Sequence, residues 1–408
     1  MENTMYDSRS EAIAAQVPAA IKTLQILGYY SGGDGGGALY RRLLAAPSPV
    51  KPWHFRSADG AWWDLASNRE ANVRRFGAVG DGVTDDTQAV LAAVEYLAST
   101  GGVLYLPVGK YLISRTIDID LSASTLDTDG TTINVKGDGS GNTILIHAIA
   151  ADVPLIRLRG GSIGAGIHIW GKWSGFTVHG QTTGSGIGIQ LLLTAYALFE
   201  DITTLHLNVH WDLQDVLSCT WMRCQARWGA IGFRGRHNMY SMPNALTFVG
   251  CQASLQYQHG IQMNNGSALT WIGGSIEGNA HYSGGDVNKC AVFLNDPGYE
   301  GGVAATFVGT YFESNAGLAS IRVVVATKQV TVNCQGCTFN SNVADPYVQN
   351  HIRIDQLGGF AQLNIPGCTF SSYNGYTPNT ARKVVKFYGT NCGFTDTGAL
   401  YTDAAERP

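Results

Sequence analysis

Two glutamates, Glu277 and Glu313, occupy the same place in two consecutive copies of a short recurring motif. If the copies stack as strands, neighbouring backbones lie ~4.8 Å apart and the two carboxylates stand side by side. Such a pair suits glycosidic bond cleavage, with one acid to protonate the leaving oxygen and one carboxylate as base or nucleophile. Mutual repulsion should raise one pKa and keep a proton in the pair. A separation of ~5 Å points to retention and ~6.5–9.5 Å to inversion, and splayed side chains allow either. The blander alternative is a solvated pair on an ordinary outward face.

Candidate substrate contacts surround the pair. Tyr311 precedes Glu313 by two residues on the same outward face, and Arg227 occupies the glutamate position two copies upstream. The stretch NAHYSGGDVNKC after Glu277 lengthens its repeat and brings His281, Tyr282 and Asp286, and long loops beside a rigid sheet are where binding concentrates. Arg227 could bind a substrate carboxylate. Trp228, Tyr257, Tyr282 and Tyr311 could stack on sugar faces, and His281 could contact the substrate. Other acids compete as partners: Asp201 beside Glu200, then Asp212, Asp215, Asp296, Glu300 and Asp355. His210 and His259 read as plain polar surface. No metal or cofactor is expected.

The elements that must position these groups follow from the motif. An aromatic or apolar residue, one residue, then Gly or a stand-in recurs as WSGFTVH, FEDITTL, WMRCQAR, FVGCQAS, WIGGSIE, FVGTYFE, CQGCTFN and IPGCTFS. The third positions are Gly175, Asp201, Arg223, Gly250, Gly273, Gly309, Gly336 and Gly367. Intervals of 22 to 36 residues mark a solenoid. Apolar and polar residues alternate inside each copy, as in strands with one buried face, and the alternation changes phase at the third position. Each copy is therefore two short strands around a corner that Gly tolerates. A further strand follows, as in IQM from Ile261 and IRV from Ile321. Stacking them gives an all-β parallel β-helix with Trp, Phe and Cys ladders inside.

Composition agrees. The chain of 408 residues has 45% hydrophobic and only 14% charged residues, with 51 glycines for its many turns. A net charge of −4 with no basic run makes nucleic acid a poor partner. No apolar run approaches the ~18 residues of a membrane span, and no export signal is seen at the start. Four of the eight Cys fall on one inward position, so Cys334 and Cys337 read as core rather than as a metal or redox pair.

Residues 1–70 form a separate N-terminal block, expected to cap the coil, join copies or dock a larger particle. Ser10–Leu27 shows helical spacing through Ile13, Val17, Ile21 and Leu24, interrupted by Pro18. Asp59-Gly60 should turn a hairpin between aromatic runs. Within 72–114, Thr84 or Asp85 can cap a helix running to about Ser99. Gly101-Gly102 ends it before strands VLYLP and KYLIS. The coil should extend over 71–395, leaving 396–408 as a tail.

The segment FGAVGDGVTDDTQA, its helix, and GGVLYLPVGKYLIS in that order resemble the N-terminal module of pectate-lyase-superfamily proteins. That family includes phage tailspike depolymerases and polygalacturonase-type glycoside hydrolases. The resemblance implies a right-handed parallel β-helix whose helix covers the open end, with Asp81, Asp85 and Asp86 structural, although the cluster also has the oxygen density of a calcium site. The stretches GYYSGGDGGGALYRR and ADGAWWDL resemble N-termini of tail-associated phage proteins. The resemblance thus implies a homotrimeric tailspike on the virion tail, hydrolysing a bacterial surface polysaccharide. A polysaccharide lyase and a non-catalytic glycan-binding spike are the alternatives on the same scaffold.

Overall fold

The computed structural model describes residues 4–66, 69–98, 101–122, 132–149, 152–160, 171–182, 184–237, 243–264, 266–280, 288–296, 302–341, 350–374, 377–378 and 383–401. Among the described residues the strands form two main sheets. The first is a five-stranded sheet near the N-terminus, and the second is one long coil of parallel strands starting at Glu70. The fold is the expected parallel β-helix.

The N-terminal sheet contains β1 (Met5–Ser8), β2 (Thr23–Gly28), β3 (Ala38–Arg42), β4 (Phe55–Arg56) and β5 (Trp62–Leu65), in the order β1-β2-β3-β5-β4. Of the helix expected from Ser10, broken at Pro18 and continuing with a kink to Leu27, the continuation is not there. Only α1 (Arg9–Ala14) is helical, capped by the Ser8 hydroxyl on the Glu11 N–H. Beyond Pro18, Leu24 and Ile26 are buried on alternate positions, and β2 pairs with β1 and β3. The apolar spacing that fits a helix also fits period two over the last residues, and pairing with Ala38 and Tyr40 decides the matter. The Asp59-Gly60 turn forms as expected, with Phe55 opposite Trp63 and Gly60 at φ +89°.

In the cap module, α2 runs Thr87–Leu97 and buries Val90, Ala93 and Leu97. The three aspartates before it are taken up by local bonds. Asp81 accepts from the Val83 and Thr84 N–H groups, Asp85 from Thr87 and Ser114, and Asp86 from the Val79 and Gly80 N–H groups. Asp86 is the N-cap residue, but its carboxylate bonds backward into the preceding turn rather than to the helix.

Each full turn of the coil lays down three strands. The first wall holds the recurring aromatic: Trp173, Phe199, Trp221, Phe248, Trp271 and Phe307 stand in continuous register. The middle four rings stack, with centroids 5.1 Å apart for Phe199–Trp221, 4.6 Å for Trp221–Phe248 and 5.1 Å for Phe248–Trp271, and Trp173 meets Phe199 edge-on. All eight third positions take positive φ, Asp201 (51°) and Arg223 (52°) included. The bend belongs to the position and not only to glycine. Behind it lies a short second wall, on which Ala226, Ala253, Ile276, Phe312, Phe339 and Phe370 face inward.

A second left-handed corner follows five residues after the first, at His206, Trp228, Leu255, Gly278 and Ser314. Buried amides brace it. Asn279 Oδ1 accepts from the Gln256 N–H and Asn315 Oδ1 from the Asn279 N–H, while Nδ2 of each asparagine donates inward to the carbonyls of Ala253 and Ile276. The third wall includes Leu207–Gln214, Val292–Asp296, Ala319–Val325, Asn350–Gln356 and Lys383–Tyr388. Pairing continues past residue 395, where the tail was expected to start, because Leu400 and Tyr401 add to the short wall opposite Thr369 and Phe370. Every Cys of the inward ladder (Cys224, Cys251, Cys337, Cys368) is buried and free, and so is Cys334.

Candidate active site

The short wall carries the glutamates. Its strands are only three or four residues long between the two corners, so the outward side chains at the wall's far edge form one straight row. Register fixes the row as Leu205, Arg227, Ser254, Glu277, Glu313, Asn340 and Ser371. Glu277 is paired directly with Glu313, both are half-buried, and the preceding residues Ile276 and Phe312, paired with each other, point into the core.

Polar neighbours hold the row. Gln252 Nε2 donates to Glu277 Oε1 at 2.8 Å. Asn340, beside Glu313, donates from Nδ2 to the Tyr311 hydroxyl at 3.3 Å and accepts from Ser371 Oγ at 3.2 Å. Gln252 and Asn340 had not been singled out as site residues. Their signal was the outward position they share with Tyr311 and with Glu313. On the other side of Glu277, Ser254 is 1% exposed, and neither its Oγ nor the buried Nε of Arg227 has a hydrogen-bond partner among the described residues.

Arg227 lies two rungs from Glu277, its guanidinium 4.5 Å from the Trp228 ring centroid. Trp228 sits on the second corner at φ +57°, 38% exposed, and stacks on His206 at 5.2 Å. A bulky residue at positive φ is strained and persists only where its surroundings hold it. His206 is itself depressed in pKa, by burial and then by nearby His179. Tyr257 is not in this row. It lies past the second corner, packed on Ile187, Val209, Ala230 and Ile231. His281, Tyr282 and Asp286 lie outside the described residues, as does Glu300.

The competing acids are engaged elsewhere. Glu200 is held by Lys172 and Arg223, and Asp201 accepts from Ser140 Oγ. Asp212 is fully buried on the third wall and takes bonds from Arg234, Arg236, Gln190 and Gln214. Burial alone would raise its carboxyl, but these donors outweigh it and hold the pKa down at about 2. Asp215 is buried, Asp296 accepts from the Thr327 and Lys328 N–H groups, and Asp355 joins Arg322 and Arg353.

Two histidines depart from expectation. His210 is buried, not surface, with Nδ1 on Thr204 Oγ1, and burial pushes its pKa down to about 3. His259 is also buried, its Nδ1 at 2.9 Å from the Cys290 carbonyl and its ring stacked on Phe293. His210 thus meets the short wall from its inward side, opposite to the outward row of glutamates.

Comparison with known proteins agrees with this architecture. Residues 71–154 match the family model described as Rhamnogalacturonase A/epimerase, pectate lyase-like. Over the whole coil the chain is similar to the bacteriophage CBA120 tailspike protein 2 enzymatically active domain, with a TM-score of 0.67 at 14% identity, covering 91% of this chain and 54% of that one. In sequence it is 39% identical over 75 residues to mannuronan C5-epimerase AlgE2 of Azotobacter vinelandii, covering 18% of this chain and 7% of the epimerase. It is 33% identical over 113 residues to alginate lyase 7 of the same organism, covering 28% and 13%. The chain thus spans about half of the tailspike domain and a small part of the curated relatives. It carries a pectate-lyase-like module on a parallel β-helix, and its fold is that of the tailspikes.

Proposed function

We propose that this chain is an endo-acting depolymerase that hydrolyses a bacterial surface polysaccharide (exopolysaccharide, capsule or O-antigen), with Glu277 and Glu313 as the acid and the base or nucleophile. The observation that carries this reading is the direct pairing of the two glutamates on an outward row. Like charges directly opposed weaken a sheet, so a sequence selected for stability alone would avoid the pair. The row offers a polymer an extended track parallel to the coil axis. Arg227 and Trp228 bind the chain about two rungs from the cleavage point, roughly 10 Å at strand spacing. Gln252 orients Glu277, and Tyr311 lies against the substrate beside Glu313. His281 and Tyr282 contribute from the segment after Glu277.

The tailspike likeness supports a homotrimer on a virion tail, attached through the N-terminal block, and a mass three times 43.6 kDa in sedimentation checks the trimer. The test of chemistry is incubation with surface polysaccharides of candidate hosts and mass analysis of fragments. Hydrolysis gives new reducing ends without ultraviolet absorption. Glu277→Gln and Glu313→Gln should each lower the rate by at least about a hundredfold with the fold intact. Rates near wild type in both variants would remove the assignment.

The curated relatives named as epimerase and alginate lyase favour a second reading, elimination from an acidic sugar with Tyr311 as base. An unsaturated, ultraviolet-absorbing product would select it, and polymer binding without fragments would select a non-catalytic spike.

A further inference from the structure

On the third wall, around the second corner from the glutamates, a second like-charge row runs along the coil. Arg322, Arg353 and Lys386 stand directly opposite one another on three successive rungs, and Phe293 occupies the same row one rung before them. All four are half-buried and outward, between inward Val292, Ile321, Ile352 and Val385. Three cations in register repel, which a sheet ordinarily avoids. One carboxylate offsets part of this. Asp355, 7% exposed, accepts from Arg322 Nε at 2.9 Å through one oxygen and from Arg353 Nε at 2.8 Å through the other. The cluster therefore keeps an excess of two positive charges, on a chain whose net charge is −4.

The anchoring is economical of donors. A guanidinium has five N–H donors, and Nε supplies one of them. The Arg353 side chain makes no other hydrogen bond among the described residues, so its terminal nitrogens are held in place and remain unused, while one terminal nitrogen of Arg322 also donates to Asn288 Oδ1. Flat rings accompany the cations. The Arg322 guanidinium is 5.6 Å from the Phe293 centroid, and the Arg353 guanidinium is 4.2 Å from that of Tyr388, which is 41% exposed. Phe293 is backed by the His259 ring at 5.4 Å, which fixes its orientation.

We propose that this row is a second saccharide-binding site, specific for an acidic polysaccharide and separate from the carboxylate pair. The guanidinium forks and Lys386 take carboxylates on successive sugars, and Phe293 and Tyr388 stack on apolar sugar faces. The rung spacing of ~4.8 Å lets one cation meet each step of a polymer lying along the coil. Bound there, the polymer supplies the negative charge that the row lacks, and it is kept at the surface while the short wall works on another segment. The site does not depend on the short wall being catalytic.

The test is retention on immobilised polygalacturonate, with immobilised dextran as the neutral control. Wild-type protein should be retained by polygalacturonate at low salt, released by added salt, and not retained by dextran. Lys386→Glu and Phe293→Ala leave the Asp355 anchor untouched, and each should weaken binding by about tenfold. Arg353→Gln should do so too, with folding checked by near-ultraviolet circular dichroism. Glu277→Gln should bind like wild type. The inference fails if wild type passes through unretained, or if Lys386→Glu and Phe293→Ala both elute with it. It also fails if Glu277→Gln abolishes retention, which would place the polymer on the short wall. A change of mass in sedimentation for Lys386→Glu would make the row a contact between copies and overturn the proposal.

Discussion

Glu277 and Glu313 face each other across one rung, and on the proposed reading stability and activity there pull in opposite directions. Neutralising one partner removes a repulsion that costs about 0.2–1 kcal/mol. Glu313→Gln is therefore expected to raise the urea midpoint slightly while it abolishes cleavage. A lowered midpoint would mean that the charge is structurally required. Glycines on the corners divide in the same way, by what lies around them. Gly309 has φ +58° and open space where a Cβ would go, so Gly309→Ala should cost only the left-handed backbone penalty, about 1–2 kcal/mol. Gly274, at φ +65°, would place a Cβ 2.0 Å from the Cys251 carbonyl oxygen. Gly274→Ala should cost clearly more, and paired denaturation curves decide. At this scale the pairing of the glutamates was legible in the sequence, since they repeat at one offset from a recurring corner. Gln252 and Asn340 were harder to find, because an outward amide looks the same whether it solvates a surface or orients a carboxylate. The basic row was hidden for another reason. Its members are spread from Phe293 to Lys386, and only the register of the third wall brings them together.

Elements differ in how openly the sequence announces them. The first corner was legible because glycine fills six of its eight positions and the alternation changes phase there. The second was not, since His206, Trp228, Leu255 and Ser314 carry no turn signature and only Gly278 does. Buried Gln256, Asn279 and Asn315 hold it instead, through bonds between rungs that no local pattern reveals. The N-terminal strand β2 was misread because a strand paired on both sides is set by its partners, and four apolar residues at helical spacing are a weak signal beside Pro18. The aromatic ladder of the first wall is the strongest element. Trp221 is fully buried and stacked on both Phe199 and Phe248, so Trp221→Ala should destabilise the coil by about 3–5 kcal/mol. The third wall contributes a pH dependence. The Asp212 carboxyl is held at about 2 in the folded chain, below its ordinary 3.8. Its stabilisation is complete above the ordinary value and is lost as the pH falls through about 2. The shift corresponds to roughly 2–3 kcal/mol. Asp212→Asn should lower stability at neutral pH by about 3 kcal/mol, by leaving Arg234 and Arg236 without their anion. It should also flatten the acid limb between pH 4 and 2, which denaturant midpoints measured across that range would show.

From Glu70 onward the molecule is a one-dimensional stack, in which each rung is stabilised chiefly by the rungs above and below. Its two like-charge rows lie on different walls, so on the two proposals made above a polymer is held and cleaved at separate places along one coil. The stack also means that damage spreads from neighbour to neighbour, and the cap helix is where this is most easily seen. α2 packs against the strands of the first rung, and Leu97 is fully buried there. Leu97→Ala should remove about 2–5 kcal/mol of packing at that end. In a nearest-neighbour stack the loss should be graded. Amide protons of Gly102–Leu106 and Gly109–Ile113 should exchange much faster, those of Ile133–Gly137 and Thr143–His147 somewhat faster, and those around Trp221 and Phe248 little changed. If all three groups instead accelerate together, the coil unfolds as one cooperative body, and the cap then governs the glutamate row as directly as it governs the first rung.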